Sequence, residues 1–199
     1  MIYLFLIYFG ILGAGIKFID AAYDEKTFNK KIALCIAPFL GLLWAFTMLI
    51  NPVAATILLA VIFGVVLKGK IDNIAHFMGL IVIVTIVFFA GVQLMIVPLI
   101  FLASAALLDE FGNDYVDKKR NSLKSIKLYH KLFFGFFDQR WTLKVAILLL
   151  SISGAIPLVF FFAMIAFDYA YLAVRFYSVV KKQNKITYEE VPSKSFQAL

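Results

Sequence analysis

Three short stretches concentrate the side chains able to do chemistry. In "KFIDAAYDE", Asp20 and Asp24 are four residues apart, with Lys17 nearly one turn earlier and Glu25 beside them. In "KGKIDNIAHFMG", Asp72 and His76 are also four apart. In "LLDEFGNDYVDKKR", Glu110, Asp114 and Asp117 follow at spacings of four and three, and Asp109 and Asn113 form the adjoining row. Residues three or four apart share one face of a helix, so each stretch would set its acids on one side. Hard cations such as Mg²⁺ take oxygen ligands, and they bind diphosphates through one or two carboxylates plus waters. Converging Asp-x-x-x-Asp pairs would therefore make a Mg²⁺–diphosphate site. The metal would neutralise a leaving pyrophosphate while bases hold its oxygens. On this reading Asp20, Asp24, Asp109, Asp114 and Asp117 are the catalytic carboxylates. Asp20, Asp24, Glu110, Asp114, Asp117 and His76 are the candidate metal ligands, and Lys17, Lys70, Lys118, Asp72 and Asn113 face the substrate. The bland alternative is a set of solvated helix ends, with Asp20 and Asp24 merely paired to Lys17 and Lys26.

The elements that must position these groups are membrane helices. The chain has 199 residues, 63% of them hydrophobic and 16% charged, with a mean hydropathy of +0.95. A soluble domain carries roughly 25% charged residues. The apolar residues come in unbroken runs, which marks a polytopic helical membrane protein. No segment alternates apolar and polar residues along its length as a membrane barrel strand does. Seven apolar segments are expected, at 2–19, 32–50, 53–67, 74–90, 92–108, 142–157 and 158–180. Asn51-Pro52, the Gly91 region and "SISGAIP" divide runs too long for one span. Residues 1–19 lack a basic n-region and a small-x-small cleavage site, so they read as a retained first helix. Gly41, Gly64, Gly79 and Gly154 read as points of close helix contact.

Loop charge sets the orientation. Nearly every Lys and Arg falls at 20–31, 68–73, 109–141 and 181–199, and none at the other three connections. Seven helices, N-terminus outside and C-terminus inside, put all four basic regions in the cytoplasm. The same rule accounts for the net charge of +7, so nucleic acid is not expected as a partner. Within 109–141, Leu123, Ile126, His130, Phe133 and Phe137 recur at helical spacing, with Lys124, Lys127 and Lys131 on another face. That pattern predicts a basic amphipathic helix lying at the interface. The single cysteine, Cys35, excludes an internal disulfide and a cysteine-based zinc site. P-loop, GxSxG, HExxH and Rossmann motifs are absent.

Asp168 lies about ten residues past Pro157. At mid-bilayer it would be a functional charge, with Arg175 as a partner; at the boundary it would be ordinary. A transporter or channel in which Asp168 and the cytoplasmic acids bind a permeating ion is the rival to an enzyme.

The pattern of "DAAYDE" after the first helix and "DEFGNDYVDKK" after the fifth resembles the UbiA-type intramembrane prenyltransferases. That family is a membrane helical bundle with two Asp-rich cytoplasmic motifs on helices four apart. The resemblance implies aspartates that bind Mg²⁺ and a prenyl diphosphate, on a shortened bundle that matches the family's second through eighth helices. The first motif keeps only Asp20 and Asp24 of the family's spaced set, with Glu25 beside them, and no Arg-Pro stretch follows either motif.

The expectation is therefore an all-α, polytopic transmembrane bundle of about seven helices, with one membrane domain at 1–185 and a polar cytoplasmic tail at 186–199. It would be a multi-pass protein of a prokaryotic plasma membrane. Its function would be that of a Mg²⁺-dependent transferase acting on a polyprenyl or other lipid diphosphate drawn from the bilayer, at the cytoplasmic face.

Overall fold

The structure is a computed structural model that describes residues 3–69, 71–120, 135–137 and 139–190, with the side chains of 117, 120 and 184–190 outside the description. The described residues are helical and contain no strand. The main helices are α1 (Leu4–Tyr23), α2 (Lys30–Ile50), α3 (Pro52–Leu67), α4 (Ile74–Ala90), α5 (Ile96–Arg120), α6 (Trp141–Ile152) and α7 (Val159–Glu190). Four of them, α1, α2, α5 and α7, are long and apolar enough to cross a membrane. The helices α3, α4 and α6 are apolar but shorter, at 16, 17 and 12 residues.

The breaks follow local chemistry. Asn29 accepts from the Lys31 N–H, Asn51 from those of Val53 and Ala54, and Asn73 from that of His76, so α2, α3 and α4 each start on an asparagine cap. Pro52 begins α3, where its missing N–H costs nothing. After α4, Gly91 takes φ +69 and the chain turns. Met95 N–H then donates to Thr56 Oγ1 on α3, fixing the start of α5. The run 142–180 is split into two helices, and Gly154 at φ +77 makes the turn between them.

Gly154 is thus a turn residue with open space around it, which corrects its reading as a helix contact. Gly41 and Gly79 do serve contact: a Cβ on Gly41 would lie 2.6 Å from the Gly79 carbonyl oxygen. A methyl group there would force α2 and α4 apart.

The helices pair as α1 with α7, α2 with α4, and α3 with α5, while α2 also touches α1 and α3, and α6 leans on α5 and α7. The core between them holds Phe9, Leu12, Ile57, Leu58, Leu102, Ile147 and Phe160. The outer surface is also apolar, with Phe88 and Phe89 at 79% and 81% exposure. An outside as greasy as the inside suits lipid, not water.

One sequence expectation ends differently in the structure. Helix α7 continues through Glu190, into the segment expected as a tail, because Lys, Gln and Glu propagate helix well. The expected amphipathic helix falls mostly at 121–134, outside the described residues, as does Lys70.

Candidate functional site

The C-terminal end of α1 and the N-terminal end of α4 meet at the mouth of a cavity of about 370 Å³. Its depth is apolar, walled by residues such as Ile16, Leu40, Ile62, Leu80, Ile83 and Phe167. Its mouth carries Asp20, Asp24, Asp72, His76, Arg140 and Tyr171. The Asp72–His76 pairing drawn from their spacing is not the one formed. His76 instead donates from Nε2 to Asp20 Oδ1 at 2.7 Å, and Tyr171 donates to Asp20 Oδ2 at 3.3 Å. Asp72 turns to its neighbour, accepting from the Asn73 amide at 3.3 Å.

Asp24 sits above the usual carboxylate range. Partial burial raises it, and the negative charges of Asp72 and Asp20 raise it further against the pull of Lys17 and His76. The mouth therefore holds more negative charge than its own bases offset. Among the described residues, no three His, Cys, Asp or Glu side chains group closely enough to hold a metal ion by themselves. A Mg²⁺ ion here would need a ligand's phosphate oxygens to complete its shell, as Mg²⁺ commonly does. One buried donor, the Trp44 indole N–H in the cavity wall, has no hydrogen-bond partner among the described residues.

Asp109, Glu110 and Asp114 of the third stretch do not line this mouth. Helix α5 is held by α3 and α6, and α1 by α7 and α2, so the two ends are steered by different neighbours. Asp109 is 2% exposed, and it receives the backbone N–H groups of Thr142 at 2.9 Å and Leu143 at 2.7 Å. It caps α6 from another helix. Glu110 pairs with Arg140 at 3.1 Å, and Asp114 with Lys68 at 2.8 Å. Lys118 is exposed on the last turns of α5, and the Asp117 side chain lies outside the description.

Asn113 and Lys17 do line a cavity, but a different one. It measures about 460 Å³ and lies between α1, α5, α6 and α7. Lys17 is bound to Glu25 at 2.5 Å, and Ser178 donates to the other oxygen of Glu25 at 2.6 Å. Burial would raise Glu25, but the hydrogen bonds from Lys17 and Ser178 outweigh it and hold the carboxyl below its usual range. Asp168 binds Lys144, which corrects its expected partnership with Arg175. Lys144 also donates to the Gln139 carbonyl oxygen.

Arg140 and Tyr171 line both cavities and form the wall between them. The Arg140 guanidinium lies 5.9 Å from the centre of the Tyr171 ring. Arg140 holds φ at +50, a left-handed conformation that costs a non-glycine residue roughly 1 kcal/mol or more. The ion pair with Glu110 helps to hold it there. Burial lowers the Arg140 pKa, but Glu110, Tyr171, Asp168 and Asp20 more than reverse this, so the side chain stays a cation.

Sequence reasoning passed over Arg140 and Lys144. A lysine inside the run "WTLKVAILLL" was the available signal, since an ionisable residue within a membrane run needs a partner. Arg140 carried no such signal, standing in a loop rich in bases. No protein-family model, curated protein or solved structure matches this chain.

Proposed function

We propose that the protein is an integral membrane enzyme, a Mg²⁺-dependent transferase acting on an isoprenoid or other lipid diphosphate. One observation carries the reading: an apolar cavity whose mouth gathers Asp20, Asp24, Asp72 and His76. An amphiphile with an anionic head and a hydrocarbon tail matches that division. The tail would lie along Ile16, Leu40, Ile62 and Leu80, and the head would meet the mouth. When bound with the diphosphate, Mg²⁺ would supply neutralisation of the charge on the leaving pyrophosphate.

The chain's own side chains would do the rest. Asp20 and Asp24 would take the ion, with Asp72 adding negative charge beside them. His76 and Tyr171 would fix the rotamer of Asp20 through their hydrogen bonds. Arg140 would hold phosphate oxygens at the inner wall. The resemblance of "DAAYDE" to a prenyltransferase Asp motif supports the same chemistry. The one-sided bases support a multi-pass orientation with this mouth on the cytoplasmic face. An ion path through Asp168 has less support, since Lys144 already binds that carboxylate.

The test is a thermal shift on purified protein, with Mg²⁺ and geranylgeranyl diphosphate added separately and together. A ligand at a hundredfold excess over its Kd stabilises by roughly 2.7 kcal/mol. Asp20→Asn and Asp24→Asn each remove most of that stabilisation, and Asp114→Asn, at a residue that pairs with Lys68 and does not line the cavity, keeps it. No shift in the wild type, or a full shift in both Asp20→Asn and Asp24→Asn, overturns the reading.

A further inference from the structure

We infer that the cavity between α1, α5, α6 and α7 is a second binding site, for a compound carrying a phosphomonoester group. Four cations line it, Lys17, Arg140, Lys144 and Arg175, against two carboxylates, Glu25 and Asp168. Lys17 is matched by Glu25, Lys144 by Asp168, and Arg140 by Glu110 from outside the cavity. Arg175 has no carboxylate to itself: among the described residues its guanidinium makes no close ion pair or hydrogen bond, and its charge acts on Glu25, which Lys17 and Ser178 already hold. The Asn113 side-chain amide is likewise unbonded among them.

Donors therefore outnumber acceptors in this cavity. An ammonium offers three N–H groups and a guanidinium five, and the two lining carboxylates cannot occupy them all. Lys17 and Lys144 are 7% and 3% exposed, so little water reaches them. Lys17 and Arg175 both lie on helices long and apolar enough to cross the membrane. Surplus positive charge beside ammonium groups so poorly hydrated is costly, and a bound anion lowers the cost. A phosphomonoester suits the surplus of donors better than a carboxylate does. It carries about −1.5 to −2 charge on three terminal oxygens, which several separate cations can share. Trp141, Tyr169 and Leu172 offer apolar surface for whatever the phosphate is attached to.

The cavity meets the acidic-mouthed one at Arg140 and Tyr171. A compound bound here would stand next to the diphosphate proposed there, placed as the acceptor of the transferred group. That acceptor role rests on the proposed transfer reaction; the anion site does not.

The experiment uses the full chain with EDTA present, so that no divalent cation can bridge an anion to the acids. Two probes separate the sources of phosphate: inorganic phosphate with protein in detergent, and phosphatidic acid in phosphatidylcholine nanodiscs. Binding is read by thermal stabilisation against probe concentration. At least one probe stabilises the wild type, and Arg175→Gln weakens that probe about tenfold or more. Stabilisation by phosphatidic acid alone assigns a lipid headgroup, and stabilisation by inorganic phosphate assigns a soluble source. No stabilisation by either probe, equal affinity in Arg175→Gln, or stabilisation that appears only with Mg²⁺ overturns the proposal. If Arg175→Gln fails to fold, Asn113→Ala decides, with undiminished affinity again overturning it. Phosphate binding that persists where Mg²⁺ and geranylgeranyl diphosphate produce no shift would remove the transferase reading alone. The converse would remove this site alone.

Discussion

Lys17 and Glu25 are eight residues apart, and the turn after Tyr23 brings them together beneath Ser178 of α7. Lys17 has 9% of its side chain exposed and Glu25 has 25%. An ammonium so far from water depends on its partner, and removing one member of such a pair strands the other. Full burial would make the loss about 3–5 kcal/mol. Because water reaches a quarter of Glu25, we expect Glu25→Ala to cost about 1–3 kcal/mol. Adding Lys17→Met should restore most of it, since the stranded charge is then gone. The sign with pH follows from the lowered Glu25 pKa. The pair's contribution is complete above the ordinary glutamate range and fades as pH falls through the lowered value. Unfolding in detergent at neutral and acid pH should show the gap between wild type and Glu25→Ala closing on acidification. A gap independent of pH, or no recovery in the double variant, would remove the pair from the list of stabilising contacts. The sequence offered a pairing of Asp20 and Asp24 with Lys17 and Lys26; it missed Glu25 because a helix-face argument stops where the helix does.

Helix boundaries were legible wherever local chemistry sets them. The segment expected at 74–90 is α4 to the residue, between an Asn73 cap and the Gly91 turn. Hydropathy failed where a helix outruns its apolar stretch. Helix α1 continues from Ile19 to Tyr23, and α5 from Leu108 to Arg120, so Asp20, Asp109, Glu110 and Asp114 lie on helix and Asp24 caps the end of α1. Those extensions put Asp109 on rigid backbone opposite the start of α6, a pairing across 33 residues that no spacing rule anticipates. Helix α6 has only 12 residues and begins on Arg140, which gives no side-chain cap. Its first N–H groups depend on Asp109 instead. We expect Asp109→Ala to cost about 2–4 kcal/mol, from two charge-assisted bonds lost and buried donors left unpaired. The stabilisation by Mg²⁺ and diphosphate, measured below the variant's lowered melting temperature, should remain. A stable Asp109→Ala that has lost ligand binding would return Asp109 to the metal site and remove it from the cap.

At the scale of the molecule, side-chain placement and charge placement agree on a bilayer. Large apolar groups such as Phe39, Phe88 and Val97 face outward, while many buried positions are small residues such as Ala45, Ala54 and Ala60, which let helices approach. The described connections separate by charge. Lys30, Lys31 and Lys68 lie at one set of ends, while Asn51, Gly91 and Ser153 at the other carry no base nearby. Helices of 16 and 17 residues reach only about 24–26 Å, short of a hydrocarbon core of roughly 30 Å. The bilayer would thin locally around α3 and α4, or their flanking residues would reach to the interface. Retention of bases on the cytoplasmic side would orient the bundle with both cavities opening toward the cytoplasm. Single cysteines at Lys31 and Ser153, each exposed and each in a Cys35→Ala background, test this in intact cells. An impermeant maleimide should label the Ser153 position from outside, and the Lys31 position only after the membrane is opened. Labelling of Lys31→Cys in intact cells with Ser153→Cys protected would invert the orientation and put both cavities on the outer face. Labelling of both positions in intact cells would mean that α2 and its neighbours do not carry the chain across as the loop charges require.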